Sequence, residues 1–436
     1  MRALVVSVWV FINLVFFGMC GYMYLLWSQY WIYLDKSTET TPSTYDQQIY
    51  YYNRGYLPTS INKSQQVLEV KSRIKHSVKE NSSVTLIKNS RPRFPNLQTK
   101  EFELDTRRYS CWRNDSENDC DKKTGEFKAE ILKELRRVFT DESNILRVGL
   151  ENPYNVQFEG ERGNFMDKTA NELMCELKKI SVNTLKRSDI LNHPLKDYIP
   201  KRSLFENKRF NSCAIIASAG SLKGSNLGPY INSYDLVLRF NHAPTRGFEE
   251  DVGSKTTIRI LNSQVVTKPE FKFLTSSLYK NVTIVAWDPS NYTSNIEDWL
   301  QKPDFNLFPN YMEFRKRNIK SRFFLMNPKS LWSIWDFIQK NSPSRLRRNP
   351  PSSGFLGLSI LLPFCNFVDM FEYVPSTRVT KRCHYYDPEE NVACTFGVWH
   401  PLAAEKLLTY HMNVADDPTV FQRGFVRIPG FKNLKC

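Results

Sequence analysis

Histidine is scarce in this chain, six in 436 residues, so any imidazole beside a turn or a helix start stands out. The nine cysteines include no close CxxC-type pair, which sets aside the thiolate zinc modules. Neither G-x-G-x-x-G nor the P-loop pattern G-x-x-x-x-G-K-[ST] occurs, so the two common phosphate-cradling loops are excluded. There is no internal repeat. From Ala3 to Leu34 there is no charged residue at all, and that absence decides the compartment.

The stretch "ALVVSVWVFINLVFFGMCGYMYLLW" is longer than the roughly 20 apolar residues a membrane-spanning helix needs. Tyr22, Tyr24, Trp27, Tyr30, Trp31 and Tyr33 crowd its far end, as interfacial aromatics do. A cleavable signal peptide has a shorter apolar core and a small-residue cleavage site. The expectation is an uncleaved signal-anchor over 3–34, with residues 1–2 cytosolic and the remainder lumenal. Asn62, Asn81, Asn114, Asn281 and Asn291 open glycosylation acceptor patterns, and eight cysteines follow the apolar stretch, an even number suited to disulfides in an oxidising lumen. From 35 to about 100 Ser, Thr, Asn, Gln and Lys dominate without a period, which predicts a flexible stem over 35–110 and a folded domain over 111–436. The net charge of +15 suits an anionic small substrate or a membrane surface rather than nucleic acid, with a merely solvated basic surface as the plain alternative.

Two helical patterns open the folded part, "EFKAEILKELRRVF" (126–139) and "TANELMCELKKI" (169–180). Six short apolar or β-branched runs follow: "CAIIASAG" (213–220), "DLVLRFN" (235–241), "TTIRILN" (256–262), "VTIVAWD" (282–288), "RFFLMN" (322–327) and "FVDMFEYV" (367–374). Strands alternating with helices predict an α/β fold, a mostly parallel sheet flanked by helices. Ligands bind such sheets beyond the carboxyl ends of the strands, where Ser221, Asn241 and Asn262 stand. The turn "SAGSLKGSNLG" lets backbone N–H groups approach a phosphate, although an ordinary strand-to-helix turn fits it too.

"NPPSSGFLGLSILLPFC" (349–365) reads as a capped helix start, able to present free N–H groups to an anion or simply to bury a helix. In "CTFGVWHPLAAEK" Pro401 is expected at the first helical position with His400 as the cap. The helix dipole there disfavours imidazolium, which leaves a neutral ring able to accept a proton. Glu405 and Lys406, a little over one turn on, orient the site or meet a phosphate. A capping histidine without chemistry is the alternative.

Taken together these stretches resemble a known family. Residues 213–262 look like the large sialyl motif, "PPSSGFLGLSILLPFC" like the small one, "HYYD" (His384–Asp387) like motif III, and "HPLAAE" (His400–Glu405) like the very small motif with its His-x4-Glu spacing. The branch resembled is the β-galactoside α-2,6-sialyltransferases, which "WDPSNYTSNIEDWLQKPDFN" and "PGFKNLKC" also look like. The resemblance implies a GT-A-like variant of the nucleotide-binding fold in one lumenal domain. It also implies inverting transfer of sialic acid from CMP-sialic acid to galactose O6 of Galβ1-4GlcNAc on N-glycans, with no cofactor and no essential metal. The setting implied is the Golgi membrane, type II, with galactose-terminated glycoproteins as partners and room for a homodimer.

Residue by residue, the likeness gives Ser221, Asn241, Asn262, Ser352, Ser353, Gly354, Thr395 and Lys406 to the donor, and His384, Tyr385 and Glu405 to motif III and the very small motif. His400 becomes the base, and Asp304, Asp387 and Trp399 lie on the acceptor side. It further implies disulfides Cys213–Cys365, Cys383–Cys394 and Cys175–Cys436, which leaves Cys111 and Cys120 to pair with each other. Trp399 stands where the vertebrate galactoside enzymes usually have tyrosine, and Asp387 where they tend to have glutamine. Terminal GalNAc, in GalNAcβ1-4GlcNAc, is therefore an alternative acceptor, while a type II membrane lectin is the non-catalytic alternative. Asp119-Cys120-Asp121 fits the Asp-x-Asp metal pattern, yet "RNDSENDCDKKTG" reads as a polar, turn-rich loop where a buried strand end is needed.

Overall fold

The structure, a computed structural model, describes residues 106–436 apart from 113, 148–151, 207, 319, 392 and 398. All lie in the compact unit Leu97–Cys436. The expected cytosolic tail, the membrane anchor, the stem before residue 106, and Asn62 and Asn81 lie outside the described residues. Among the described residues no helix is long and apolar enough to cross a membrane.

Seven strands form one sheet: β1 (Phe210–Ile216), β2 (Leu236–Phe240), β3 (Ile258–Asn262), β4 (Thr283–Trp287), β5 (Phe323–Leu325), β6 (Cys365–Phe371) and β7 (Phe425–Pro429). Their order is β5-β4-β3-β2-β1-β6-β7, parallel throughout except for β7, which runs antiparallel to β6. β2 and β4 are buried at every residue, because helices or loops cover both faces. The chain lays β2 to β5 on one side of β1 and then places β6 on the other. That reversal opens a crevice at the carboxyl ends of β1 and β6.

β7 lies outside the six runs read as strands. It has only five residues, carries Arg427 among apolar neighbours and sits at an edge. Its place is set by Arg427, which grips Asp369 of β6 with Nε to Oδ1 at 2.8 Å and a second guanidinium nitrogen to Oδ2 at 2.7 Å.

On one face, Cys213, Ile215, Leu236, Leu238 and Ile260 pack against three helices: α3 (Pro328–Lys340), α4 (Ser353–Leu361) and α5 (Leu402–His411). α4 is buried at Gly354 through Leu361, so it is apolar all round and central. Two further helices support this face, α1 (Glu117–Arg147) and α2 (Ala170–Lys178). α1 starts nine residues earlier than its apolar pattern suggests, because Ser116 Oγ accepts from Asp119 N at 3.2 Å and caps it. The stretch expected as a loop is thus the first turns of a helix. Asp119 and Asp121 are exposed there rather than placed at a buried strand end. α2 carries a full capping box, Thr169 with Glu172.

The opposite face carries two clusters, one around Leu261, Ile284 and Tyr311, the other around Ile216, Tyr234 and Tyr385. Between them Arg239 of β2 and Arg259 of β3, register partners, are both buried. Four disulfides close: Cys111–Cys120, Cys175–Cys436, Cys213–Cys365 and Cys383–Cys394. The third ties β1 to β6 across the reversal. Asn114, Asn281 and Asn291 are exposed.

Candidate active site

The carboxyl ends of β2 and β3 are locked to each other. Asn262 ends β3 and caps the short helix Ser263–Thr267, its Oδ1 accepting from Val265 N at 3.1 Å. Its own N–H donates to Asn241 Oδ1 at 3.1 Å. Asn241 has a φ of +46°, the left-handed region that asparagine tolerates better than most residues. Arg259 holds that turn from below, one guanidinium nitrogen donating to the carbonyls of Asn241 at 2.8 Å and Ala243 at 3.0 Å. Arg239 does the same for the loop before β3, donating to Gly253 O and Lys255 O at 3.1 Å each. Burial pushes Arg239 down to about 10 and lowers Arg259, yet both stay charged at neutral pH.

Ser221 lies in the turn Gly220–Leu222 after β1, and its hydroxyl donates to Glu372 Oε2 at 2.8 Å. Glu372 follows β6, so this bond bridges the crevice. Motif III runs beside that turn: Ala219 and His384 form an antiparallel bridge, and Tyr385 N donates to Ser218 O at 3.2 Å. A Cβ at Gly220 would meet Arg382 O at 2.3 Å, so only glycine permits the approach. His384 stacks on Tyr386 with centroids 5.1 Å apart, and His242 meets the same ring edge-on at 5.3 Å. Burial takes His384 down to about 4 and lowers His242, while Asp387 acts in the other sense on both. Asp387 thus belongs with motif III, where it accepts from Glu389 N at 3.0 Å. Asp387 lies on motif III, Asp304 beside Tyr154 and Trp399 against His400, so the three expected acceptor residues stand on three separate segments.

The start of α4 and the start of α5 are zipped together. Asn349 Nδ2 donates to Trp399 O at 2.7 Å, and His400 Nδ1 lies 2.7 Å from Pro350 O. A carbonyl can only accept, so Nδ1 carries the proton and Nε2 keeps its lone pair. Burial pushes His400 down to about 4, against the smaller effect of that hydrogen bond. His400 is one residue further out than expected: α5 begins at Leu402 with Pro401 as its cap, and Leu402 N turns back to His400 O at 2.7 Å. Burial, more than the helix dipole, keeps this ring neutral. Trp399 meets it edge-on at 4.4 Å, and Trp287 lies 6.4 Å away.

Glu405, fully buried, points inward at Ser352 rather than outward at a ligand. It accepts from Ser352 N at 2.7 Å, from Ser352 Oγ, and from Tyr373 OH at 2.7 Å. Ser352 Oγ in turn caps α4 by accepting from Phe355 N at 3.3 Å. Ser352 therefore has neither its N–H nor its hydroxyl proton free. The N–H groups of Ser353 and Gly354 are the open donors of the first turn, with Ser353 Oγ accepting from Trp287 Nε1 at 3.0 Å. Lys406 is buried, its Nζ 5.9 Å from the Tyr373 ring centre. Burial lowers it to about 7 while Glu372 and Glu405 act to raise it. Thr395 lies in the short helix Ala393–Phe396, partly exposed.

Beyond β4 lies a third group. Asp304 is exposed as a residue, while its Oδ2 accepts from Tyr154 OH at 3.4 Å. Its neighbour Asp288 is wholly buried at the end of β4. Tyr154, Asp288, Glu372, Tyr373, Trp287 and the two sheet arginines contact or support the candidate residues, and none of them was expected there from the sequence. Asp288 and Glu372 each follow directly on a strand, the position already used to find Asn241.

A family model described as glycosyltransferase family 29 (sialyltransferase) matches residues 157–416. Relatives named beta-galactoside alpha-2,6-sialyltransferase 2 are 44% identical in Gallus gallus over 290 residues and 42% identical in Bos taurus over 297 and in Homo sapiens over 290. Each match covers 65% of this chain, and 54%, 58% and 54% of the respective relative, so the chain spans little more than half their length. A crystal structure of a mammalian sialyltransferase matches at 19% identity, covering 59% of this chain and 90% of that one, with a TM-score of 0.35.

Proposed function

Since the chain belongs to glycosyltransferase family 29, the sialyltransferases, we propose that it transfers sialic acid from CMP-sialic acid to the 6-hydroxyl of terminal galactose in Galβ1-4GlcNAc on N-glycans. The observation that carries this reading is the state of His400. Its Nδ1 proton is committed to Pro350 O, so Nε2 is an acceptor beside the open N-terminus of α4. Galactose O6 attacks the anomeric carbon of sialic acid, its proton passes to Nε2, and the bond to the CMP phosphate breaks with its electron pair leaving on the phosphate oxygen. Attack opposite the leaving group inverts the centre.

The Ser353 and Gly354 N–H groups, the α4 dipole and Lys406 stabilise the departing phosphate, and Ser221, Asn241 and Asn262 hold the nucleotide. Because Ser221 already donates to Glu372, it meets the donor as an acceptor of hydrogen bonds. Thr395 and the motif III pair His384 and Tyr385 complete the donor wall. Asp304 holds the galactose, and Trp399 walls the acceptor. This chemistry calls on no metal. The GT-A-like assignment, the type II Golgi setting and a homodimer belong to the same proposal and rest on the family likeness.

Trp399 against His400 supports the second reading, GalNAcβ1-4GlcNAc as acceptor. A secreted form beginning near Lys100, given CMP-sialic acid with both acceptors and EDTA, tests both. An α-2,6 product by NMR that survives EDTA and disappears in His400→Ala supports the reaction and identifies the acceptor. No transfer to either acceptor, or wild-type transfer in His400→Ala, overturns it. CMP binding by calorimetry separates an inactive sialyltransferase from a lectin, which ignores the nucleotide.

A further inference from the structure

Asp288 has no part in the transfer as described, yet four donors converge on it. Oδ2 accepts from Trp299 Nε1 and from the main-chain N–H of Asp304, both at 2.9 Å, and Oδ1 accepts from Phe305 N at 3.0 Å. The Ser263 hydroxyl adds a further hydrogen bond. The side chain is 0% exposed. A buried carboxylate costs several kcal/mol unless its lone pairs are filled, and here they are filled by groups from three segments. Trp299 comes from the helix Ile296–Gln301, Ser263 from the residue after β3, and the two N–H groups from the turn that carries Asp304. A non-polar residue at 288 would leave two adjacent main-chain N–H groups and an indole N–H buried without partners.

We propose that Asp288 is a positioning residue of the acceptor subsite: its carboxylate holds the Asp304–Phe305 turn so that Asp304 presents its own carboxylate to the sugar hydroxyls. The proposal rests on the reading of Asp304 as the galactose-binding residue. Burial pushes Asp288 up to about 7, with Asp304 acting in the same sense, and burial raises Asp304 as well. The titratable groups acting on the pair are each other and Tyr154, and Lys268 reaches over the same turn with its Nζ 5.6 Å from the Phe305 ring centre. Below about pH 7 a proton on Asp288 sits where an N–H must be received, and the turn loosens. Acceptor KM therefore rises as pH falls from 8 toward 5.5, while donor KM does not follow it.

The test compares wild type with Asp288→Asn and Asp288→Glu in the secreted form. Asparagine keeps the volume but turns an amide N–H₂ toward one of the donors. The expected result is an acceptor KM raised about tenfold, the size of one lost charge-assisted hydrogen bond, with CMP affinity and donor KM within about twofold of wild type. The pH dependence of acceptor KM is reduced in Asp288→Asn, leaving only the part due to Asp304. Thermal unfolding and CMP binding identify a variant that has lost its fold, in which case Asp288→Glu, which keeps the charge, is judged by the same ratio. An acceptor KM within twofold of wild type overturns the proposal, as does an equal rise in donor KM. Direct galactoside binding by saturation-transfer NMR is measured alongside. If wild type transfers nothing but binds N-acetyllactosamine, the transfer reading fails and the ratio of affinities still decides Asp288. If wild type binds no galactoside, the positioning role falls with the subsite.

Discussion

Replacing Glu405 by alanine removes the one acceptor shared by Ser352 N, Ser352 Oγ and Tyr373 OH. The two hydroxyls can rotate toward other partners, but the Ser352 N–H cannot, and each buried donor left unpaired costs about 1–3 kcal/mol. With the cavity left by the side chain, the loss comes to about 3–5 kcal/mol, or a melting temperature lower by roughly 6–10 °C in a domain of this size. Glutamine keeps the volume and one carbonyl oxygen for Ser352 N–H, trading charged hydrogen bonds for neutral ones at about 1–2 kcal/mol. Both variants also take a counter-charge from Lys406, whose ammonium burial already holds down to about 7. CMP should then bind more weakly to each, and the loss should shrink at lower pH, where Lys406 regains its proton. Thermal unfolding and calorimetry with CMP at pH 6 and pH 7.5 measure all of this. A Glu405→Ala protein that melts with wild type and binds CMP equally at both pH values would refute the inward-facing role.

At saturating substrates the acid limb of kcat should fall near pH 4 to 5 rather than at the ordinary histidine value, because burial depresses His400 to about 4. A limb at pH 6.5 refutes it. His400 also titrates against stability: the unfolded ring takes its proton first, so stability should decline as pH falls from about 6.5 to about 4. That slope should be smaller in His400→Gln. Opening the Cys213–Cys365 bridge, which closes 152 residues, should cost about 5 kcal/mol, against about 2–3 kcal/mol for the nine-residue Cys111–Cys120 loop. Denaturant unfolding of the paired Cys→Ala variants measures both, and equal losses would sink the loop-closure argument.

Six strands were legible in the sequence because central parallel strands are apolar on both faces, and a run such as "TIVAW" carries little else. Their ends were less so. β1 was expected to run to Gly220 but stops at Ile216, since Ala217 and Ala219 are as apolar as the strand itself while their backbone turns toward motif III. The residues at strand ends were readable from the rule that ligands gather there, which singled out Asn241 and Asn262, and the structure places both at strand ends, bonded to each other. The direction of a side chain was not. Glu405 could equally have faced a phosphate, and only the packing of α4 against α5 turns it to Ser352. Tyr154 lies 150 residues from Asp304, and no local pattern announces such a pair. The two sheet arginines were hidden for the opposite reason: each sits inside a run read for its apolar neighbours.

β1 sits beside β6, yet β6 follows it by about 150 residues. As the chain leaves the ribosome, β1 to β5 can assemble from contacts between near neighbours, and the Asn241–Asn262 lock can close with them. The other wall of the crevice, with α4, Glu372 and His400, arrives last. Until then β1 presents an open, apolar strand edge, the kind of surface that recruits other chains. Half of the crevice is thus complete before the residue proposed as the base has been synthesised, and a chain stopped short of β6 should be a client of chaperones rather than a weak enzyme.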